Sequence, residues 1–322
     1  MKSDALNVIS GVPQGSILGP LLFIIYVNDL AFTCPSSNLE LYADDTTLYK
    51  SGFNIQEIET NLQESLNVIT KWCEINNMLI HPMKSKCMLV GSKFKLRNAK
   101  ELKLVINDSF LENVTSQKIL GVHVENTLTW HVQIDYVCKQ MNSRINLFKK
   151  IKHYLNDRSR MLFYNAYILP IMDYCCHIWG KGNNTYINKI NKLQRRICKV
   201  MLDWTFKTKS TNIYDNLQIL QFNNRCMYHT AILIYKILNS MAPSYLSDLV
   251  TVSNNVSYNL RSKSHRDIVL FSTPRTNYLK DTFKFNGMKI WNSIPYNIRN
   301  CNNISSFKTS YKKYLFESQK LL

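Results

Sequence analysis

The stretch Leu39-Glu40-Leu41-Tyr42-Ala43-Asp44-Asp45-Thr46-Thr47-Leu48-Tyr49 places two adjacent carboxylates between two short runs that are typical of β-strands. Asp is unfavourable inside strands and common in turns, so the stretch predicts a tight hairpin with Asp44 and Asp45 on its turn, pointing outward. Two carboxylates this close raise each other's proton affinity unless a cation shares them, and a divalent metal is the usual solution. A solvated turn in another fold would carry the same pair, so the pair alone assigns no function.

A second stretch lies a short interval upstream, at Gly11-Val12-Pro13-Gln14-Gly15-Ser16-Ile17-Leu18-Gly19-Pro20. Its Gly and Pro residues predict a turn that lets a large ligand approach the backbone. The apolar run Leu21–Asp29 follows and predicts a helix, for which Pro20 suits the first turn. Gly-Val-Pro-Gln-Gly-Ser followed at this distance by Tyr-Ala-Asp-Asp resembles the reverse transcriptases of non-LTR (LINE-type) retrotransposons, most closely the jockey-like group. In that family the two stretches are motifs B and C of the polymerase palm.

The resemblance implies an RNA-directed DNA polymerase that transfers nucleotides with two metal ions. Asp44 and Asp45 would be the catalytic and metal-binding residues, with Mg²⁺ as the cofactor and Mn²⁺ as an alternative. The implied partners are an RNA template, a DNA primer and a deoxynucleoside triphosphate. The residues implied to bind the nucleotide are Gln14, Gly15 and Lys84. Those implied to lie at the primer are Tyr42, Ala43, Leu120 and Gly121.

Two details of the middle of the chain bear on these assignments. Met78–Pro82 and Lys86–Val90 are interpreted as strands around a proline turn, and relatives carry an Asn-Pro-x-Lys-Thr-like sequence there, which makes Lys84 the match for a lysine near the triphosphate. His81 stands where the family usually has Asn, and a solvated lysine beside a turn is an equal alternative. Ile119–Val122 matches the Phe-Leu-Gly block of the family, a primer-grip hairpin in which Gly lets the primer backbone come close.

Three segments have the periodicity of amphipathic helices. The first opens at Asn54 with a predicted cap and keeps its apolar residues on one face: Ile55, Ile58, Leu62, Leu66, Ile69 and Cys73. The second follows Trp130 and aligns Ile134, Val137, Cys138, Met141, Ile145 and Phe148. The third, Tyr186–Leu202, separates an apolar stripe (Ile190, Leu193, Ile197 and Val200) from a stripe of five cations: Lys189, Lys192, Arg195, Arg196 and Lys199. The cation stripe would suit a nucleic-acid backbone, although a solvated helix face is an equal reading.

The rest of the chain carries less chemistry. Cys175-Cys176-His177 could suggest zinc, but adjacent cysteines do not easily take separate tetrahedral positions, so core packing is favoured. A mostly buried helix is predicted at Asn223–Asn239 and a polar linker at Ser253–Ser257. Basic and aromatic residues of the C-terminal region resemble the tail of the same retrotransposon group and suit either single-stranded RNA or packing: Arg261, Arg266, Arg275, Lys284, Phe285 and Trp291.

Composition favours a polyanionic partner. Forty Lys and Arg against 22 Asp and Glu give a net charge of +18 over 322 residues. No segment approaches the roughly 20 uninterrupted apolar residues of a membrane span. The first ten residues lack a hydrophobic signal core, so we expect an intracellular chain in the cytoplasm, the nucleus or both, neither secreted nor membrane-bound. Nine irregularly spaced cysteines favour reduced, buried thiols. The sequence does not predict the oligomeric state.

The predicted fold class is α+β and mostly helical. A partial palm, an antiparallel sheet with helices, is expected at 1–125, a helical thumb-like region at 126–204 and a helical accessory region at 205–322. By the resemblance, the block with the first catalytic aspartate would precede Met1, so we expect the chain to be inactive as a polymerase by itself. The alternative is a non-catalytic nucleic-acid-binding or inert product of a degenerate element.

Overall fold

The computed structural model describes residues 11–12, 15–34, 36–204, 213–250, 274 and 276–320. The chain divides into two compact units, the first ending at Gln117 and the second beginning at Lys118. The strand predicted at the N-terminus, the linker Ser253–Ser257 and three of the C-terminal arginines (Arg261, Arg266 and Arg275) lie outside the described residues.

The first unit mixes short strands with three helices in its described part. Its helices are α1 (Gly19–Val27), α2 (Ile55–Ile75) and α3 (Lys93–Arg97), and a 3₁₀ segment, Asn28–Phe32, continues α1. Its strands are β1 (Asn38–Tyr42), β2 (Asp45–Tyr49), β3 (Lys86–Cys87), β4 (Val105–Ile106), β5 (Ser109–Phe110) and β6 (Glu112–Asn113). These strands form separate pairs, β1 with β2, β3 with β6 and β4 with β5, in place of the one sheet that the sequence suggests.

Helix α2 organises the first unit. Asn54 caps its N-terminus, where the side-chain oxygen accepts a hydrogen bond of 2.9 Å from the Gln56 amide. The predicted apolar face is confirmed. One end packs with α1 and the β1–β2 hairpin through Ile69, Trp72 and Cys73, and the other end packs through Leu62 against Cys87 and the strands that follow.

The segment between α2 and β4 differs from the two strands that the sequence predicts there. Met78–Pro82 is not a strand, because it pairs with nothing in the described part of the chain and runs directly into a turn, where the amides of Lys84 and Ser85 donate to the His81 carbonyl. Of Lys86–Val90 only β3 forms a ladder, and it runs parallel to β6. Two-residue strands of this kind are held mainly by the side chains they bury, here Cys87 and Ile106.

The second unit is helical after one hairpin. Strands β7 (Ser116–Ile119) and β8 (Val122–Glu125) lead into it. The helices up to residue 204 are α4 (His131–Ile151), α5 (Asp157–Phe163), α6 (Leu169–Asp173), α7 (Cys176–Trp179) and α8 (Asn184–Met201), with a 3₁₀ turn at Lys152–Tyr154 and a π-helical stretch at Tyr164–Ile168. The later helices are α9 (Ile213–Asn216), α10 (Phe222–Leu238), α11 (Asn277–Asp281), α12 (Phe283–Ser293), α13 (Tyr296–Arg299) and α14 (Ile304–Lys320), with a 3₁₀ segment at Ser244–Leu249.

Helices α4 and α8 lie side by side and run parallel. Lys189 of α8 pairs with Asp135 of α4, and Arg196 of α8 donates a hydrogen bond to Asn142 of α4. Both contacts advance by seven residues along both helices, so the two helices run in the same direction. All six apolar residues predicted for α4 are buried, and Ile190 and Ile197 of α8 join them in one core, with Leu193 and Val200 partly buried at its edge. The predicted faces of both helices are therefore confirmed.

A second core lies towards the C-terminus. It is built by α10, α12 and α14 around Trp291 and Phe307, whose ring centroids are 5.8 Å apart. Burial of Trp291 supports packing as the role of this side chain. Within the described ranges, no helix combines the length and the apolar character that a membrane-spanning helix needs.

Candidate functional site

The paired aspartates lie at the tip of the β1–β2 hairpin. The strands pair antiparallel with Tyr42 opposite Asp45, so Ala43 and Asp44 form a two-residue turn, and Ala43 takes the positive φ (51°) that such turns require. The hairpin is confirmed, but only Asp44 lies on the turn, while Asp45 is the first residue of β2. Both side chains are exposed. Within the described part of the chain, neither carboxylate accepts a hydrogen bond or joins an ion pair, so both can accept a hard cation.

The Gly-rich stretch is described only in part, since Pro13 and Gln14 lie outside the described residues. Gly15 has a φ of 87°, and a side chain built on it would meet no atom within 4 Å. Gly15 therefore needs its flexibility for the backbone turn. The predicted helix is confirmed as α1, with Pro20 in its first turn, and the Ser16 hydroxyl accepts a hydrogen bond of 3.0 Å from the Gly19 amide.

Lys84 lies on the exposed turn after His81. In the described part of the chain its ammonium makes no ion pair. An exposed lysine on a turn fits either of the two readings that the sequence allows, so its role stays a prediction.

The Leu120-Gly121 pair forms the turn of the β7–β8 hairpin. Both residues have positive φ values, 44° and 85°, which is the type I′ geometry that matches the twist of a hairpin. The Tyr174 hydroxyl donates to the Leu120 carbonyl at 2.5 Å. A Cβ atom on Gly121 would lie 3.2 Å from the Tyr174 ring, so this turn needs glycine both for its backbone and for its contact.

The five cations of α8 differ in their surroundings. Lys189 is 2.7 Å from Asp135, and Arg196 donates to the Asn142 side chain at 3.2 Å, so both help to join α8 to α4. Arg195 lies beside Tyr214, whose pKa is raised to about 12 by burial. Lys192 is exposed and unpaired within the described ranges. The stripe exists, but part of its charge is already engaged within the protein.

The partners of these cations could not be predicted from the sequence. Asp135 and Asn142 lie 54 residues away from the cations they meet, and no local pattern predicts a pair at that distance. The sequence does contain one signal, since Asp135 and Asn142 have the same seven-residue spacing as Lys189 and Arg196. This spacing predicts the two pairs only if α4 and α8 are assumed to be parallel neighbours.

The thiols near Trp179 are packed in the core. Cys176 and Cys226 are buried together, and the hydrogen bond with Cys226, followed by burial, raises the pKa of Cys176. His177 contacts the Phe283 ring edge-on, and burial lowers its pKa. In the part of the chain that the structure describes, no three His, Cys, Asp or Glu side chains are grouped so that they could hold a metal ion.

The region that contains the β1–β2 hairpin matches a known protein family. Residues 2–124 match the family "Reverse transcriptase (RNA-dependent DNA polymerase)". This range includes Gly15, Asp44, Asp45 and Lys84 as well as the Leu120-Gly121 turn. The part of the chain that carries these residues is therefore similar to reverse transcriptases.

Several curated proteins that are similar to this chain are RNA-directed DNA polymerases of transposable elements. The probable RNA-directed DNA polymerase from transposon BS of Drosophila melanogaster is 27% identical over 69% of this chain and 25% of that protein. The RNA-directed DNA polymerases from mobile element jockey of Drosophila funebris and of Drosophila melanogaster are 26% and 22% identical, over 65% and 85% of this chain and 24% and 29% of those proteins. The chain thus spans roughly a quarter of the length of these relatives. No solved structure gives a significant match.

Proposed function

We propose that this chain contributes the β1–β2 carboxylates to RNA-directed DNA synthesis by a LINE-like element. One observation carries the proposal: residues that match the reverse transcriptase family present Asp44 and Asp45, exposed and unpaired within the described residues, at the tip of a hairpin. Carboxylates held in this way are suited to bind metal ions during phosphoryl transfer.

The donor set fits magnesium, with manganese as the alternative. Mg²⁺ prefers oxygen ligands and typically takes one or two protein carboxylates, with waters and substrate phosphates completing its octahedron. When bound, it neutralises charge that develops on the transferring phosphate. Asp44 and Asp45 would hold it, and Ala43 would leave space for the primer end because its side chain is small.

The other residues named from the sequence receive proposed roles that follow the family motifs. Gln14, Gly15 and Lys84 would bind the incoming deoxynucleoside triphosphate, with Gly15 leaving room for it. Tyr42, Leu120 and Gly121 would bind the primer. Lys189, Lys192, Arg195, Arg196 and Lys199 would face the template–primer duplex, to which Lys192 brings the least engaged charge. We assign the palm segment to 1–125, the thumb-like region to 126–204 and an accessory region to 205–322.

The test is formation of a ternary complex, which does not need turnover. The intact chain is mixed with an RNA template and a dideoxy-terminated DNA primer, and the dissociation rate is measured with the correct or an incorrect next deoxynucleoside triphosphate in Mg²⁺. We expect only the correct nucleotide to slow dissociation, because its phosphates and the hairpin carboxylates share the metal ions. Asp44→Asn should remove the nucleotide effect and keep binary binding.

Asp108→Asn is the matched control. Asp108 is an exposed aspartate at the second position of another two-residue hairpin turn, between β4 and β5, as Asp44 is in the β1–β2 turn. This variant should behave as the unchanged chain does. Binary binding without any nucleotide effect would favour the non-catalytic alternative and overturn the proposed site.

Turnover is a separate question. Two metal ions about 4 Å apart need more protein carboxylates than one pair commonly supplies. That the chain does not extend a primer alone therefore stays a prediction. Extension that disappears in Asp44→Asn would contradict this prediction while supporting the assignment of the hairpin.

A further inference from the structure

A basic segment with one exposed aromatic ring lies between β3 and β4 in the first unit. Eleven residues, 93–103, carry a single acid, Glu101, and five cations: Lys93, Lys95, Arg97, Lys100 and Lys103. All five cations are exposed, and within the described part of the chain none of them forms an ion pair. Unlike Lys189 and Arg196 of α8, they are therefore available to a ligand.

Helix α3 directs the aromatic ring away from the protein. Ser92 caps it by accepting a hydrogen bond of 3.3 Å from the Lys95 amide, and Leu96 turns inward over Gly91. Phe94, two positions before Leu96, lies about 200° round the helix from it and so faces outward. Its side chain is 87% exposed, and its neighbours in the sequence are Lys93 and Lys95.

The segment is held in place at its C-terminal end. The Asn113 side chain bonds both the amide and the carbonyl of Leu102, at 3.1 and 2.8 Å. Glu59 of α2 accepts from the Lys103 amide at 2.9 Å, and Gln63 bonds both backbone groups of Val105. An anchored segment loses less conformational freedom when it binds a ligand, which favours affinity.

We propose that residues 93–103 form a binding site for single-stranded nucleic acid, distinct from the hairpin carboxylates. Unpaired bases stack on exposed aromatic rings, while neighbouring cations contact the phosphates. A base inside a duplex has both faces covered by its neighbours, so Phe94 would discriminate against duplexes. The site goes beyond the proposed polymerase function, because it needs neither a metal ion nor a nucleotide substrate.

The test measures binding of the intact chain in EDTA, which excludes any contribution of a metal-dependent active site. Fluorescence anisotropy compares a short unstructured RNA, a DNA of the same sequence and the corresponding duplex. Phe94→Ala should weaken binding of both single strands by about tenfold, the effect of losing one stacked base, and leave duplex binding unchanged. Phe53→Ala is the matched control, since Phe53 is a fully exposed phenylalanine without cations on either side.

A charge variant tests the phosphate contacts. The double variant Lys95→Ser with Arg97→Ser should make the dependence of single-strand binding on salt weaker. The slope of the logarithm of the association constant against the logarithm of the salt concentration should fall in magnitude by about 0.7 for each cation removed. The pair Lys308→Ser with Lys312→Ser on α14 removes the same charge elsewhere and should change the slope less. As a direct readout, an RNA containing 4-thiouridine should cross-link to the peptide that contains Phe94.

Three results would overturn the proposal. Equal affinities for Phe94→Ala and Phe53→Ala would exclude stacking on Phe94. An equal loss for single strands and duplexes would exclude recognition of unpaired bases. Binding to phosphatidylserine vesicles that depends on Phe94, with no effect of Phe94→Ala on RNA, would assign the segment to a membrane surface.

Discussion

At the scale of single residues, Gly121 shows how one position fixes a turn. Its φ of 85° lies in the left-handed region, and a Cβ atom would approach the Tyr174 ring to 3.2 Å. We expect Gly121→Ala to lower the free energy of unfolding by about 1–2 kcal/mol, because an L-residue is strained in this region. Urea unfolding followed by circular dichroism measures the change.

The matched control for this change is Gly91→Ala. Gly91 does not have a positive φ, and a Cβ atom there would make ordinary contacts of 3.6 Å with Leu96. It should therefore be nearly neutral or slightly stabilising. Similar losses of stability in both variants would show that the turn geometry is not what requires glycine at position 121.

Asp173 and Arg225 form a largely buried ion pair. The Arg225 Nε atom donates to Asp173 Oδ1 at 2.6 Å, and His229 lies 3.3 Å from the same carboxylate. Burial alone would raise the pKa of Asp173, but the contacts with His229 and Arg225 outweigh it and hold the pKa below its usual value. The pair therefore stabilises the fold above the unfolded pKa of about 3.9, and this contribution is lost as the pH falls through the folded pKa.

We accordingly expect Asp173→Asn to lower the free energy of unfolding by about 3 kcal/mol at neutral pH, because it leaves Arg225 without its charged partner in a buried site. The difference from the unchanged chain should shrink as the pH falls below about 4. Asp157→Asn, at a fully exposed carboxylate 3.9 Å from Arg160, should change little. A difference for Asp173→Asn that stays constant with pH would contradict this account of the pair.

At the scale of elements, the α4–α8 pair depends on its buried face. Ile145 is fully buried in the core, whereas Leu147, on the same helix, is 48% exposed. Ile145→Ala should lower the free energy of unfolding by about 2–5 kcal/mol through lost burial and the cavity that remains. Leu147→Ala should cost far less, which urea unfolding of both variants can check. Comparable losses would contradict the assignment of the buried face.

The elements that the sequence predicted well are those with strong periodicity. The apolar faces of α2, α4 and α8 follow from the spacing of their side chains, and the β1–β2 hairpin follows from turn residues between strand-forming residues. The strand predicted at Met78–Pro82 is wrong, because these residues form a coil that runs into the turn at Pro82 and has no partner strand in the described part of the chain. Pairing between distant segments, as in the parallel β3–β6 ladder, has no local signal.

The candidate site was predictable to a similar extent. The position of Asp44 on a turn followed from its neighbours, but placing Asp45 in β2 required the strand register. The contacts of Lys189 with Asp135 and of Arg196 with Asn142 depend on the packing of α4 against α8, and the sequence of one helix does not predict this packing. The exposure of Phe94 likewise depends on the inward turn of Leu96.

At the scale of the whole molecule, the net charge and the relatives both support the proposed nucleic-acid partner. A net charge of +18 favours a polyanion, and relatives over most of the chain are RNA-directed DNA polymerases. The first unit carries the carboxylate hairpin and the Phe94 segment, and the second carries the cations of α8. Both units therefore present charge suited to nucleic acid.

Localised cleavage by iron shows where on the chain the metal ion binds. Fe²⁺ replaces Mg²⁺ in the ternary complex with template, primer and correct nucleotide, and ascorbate with peroxide then cuts the backbone beside the bound ion. We predict cuts at the β1–β2 hairpin that disappear in Asp44→Asn and persist in Asp108→Asn. Cuts confined to other segments, or hairpin cuts that Asp44→Asn leaves unchanged, would contradict the assignment of these carboxylates as the metal site.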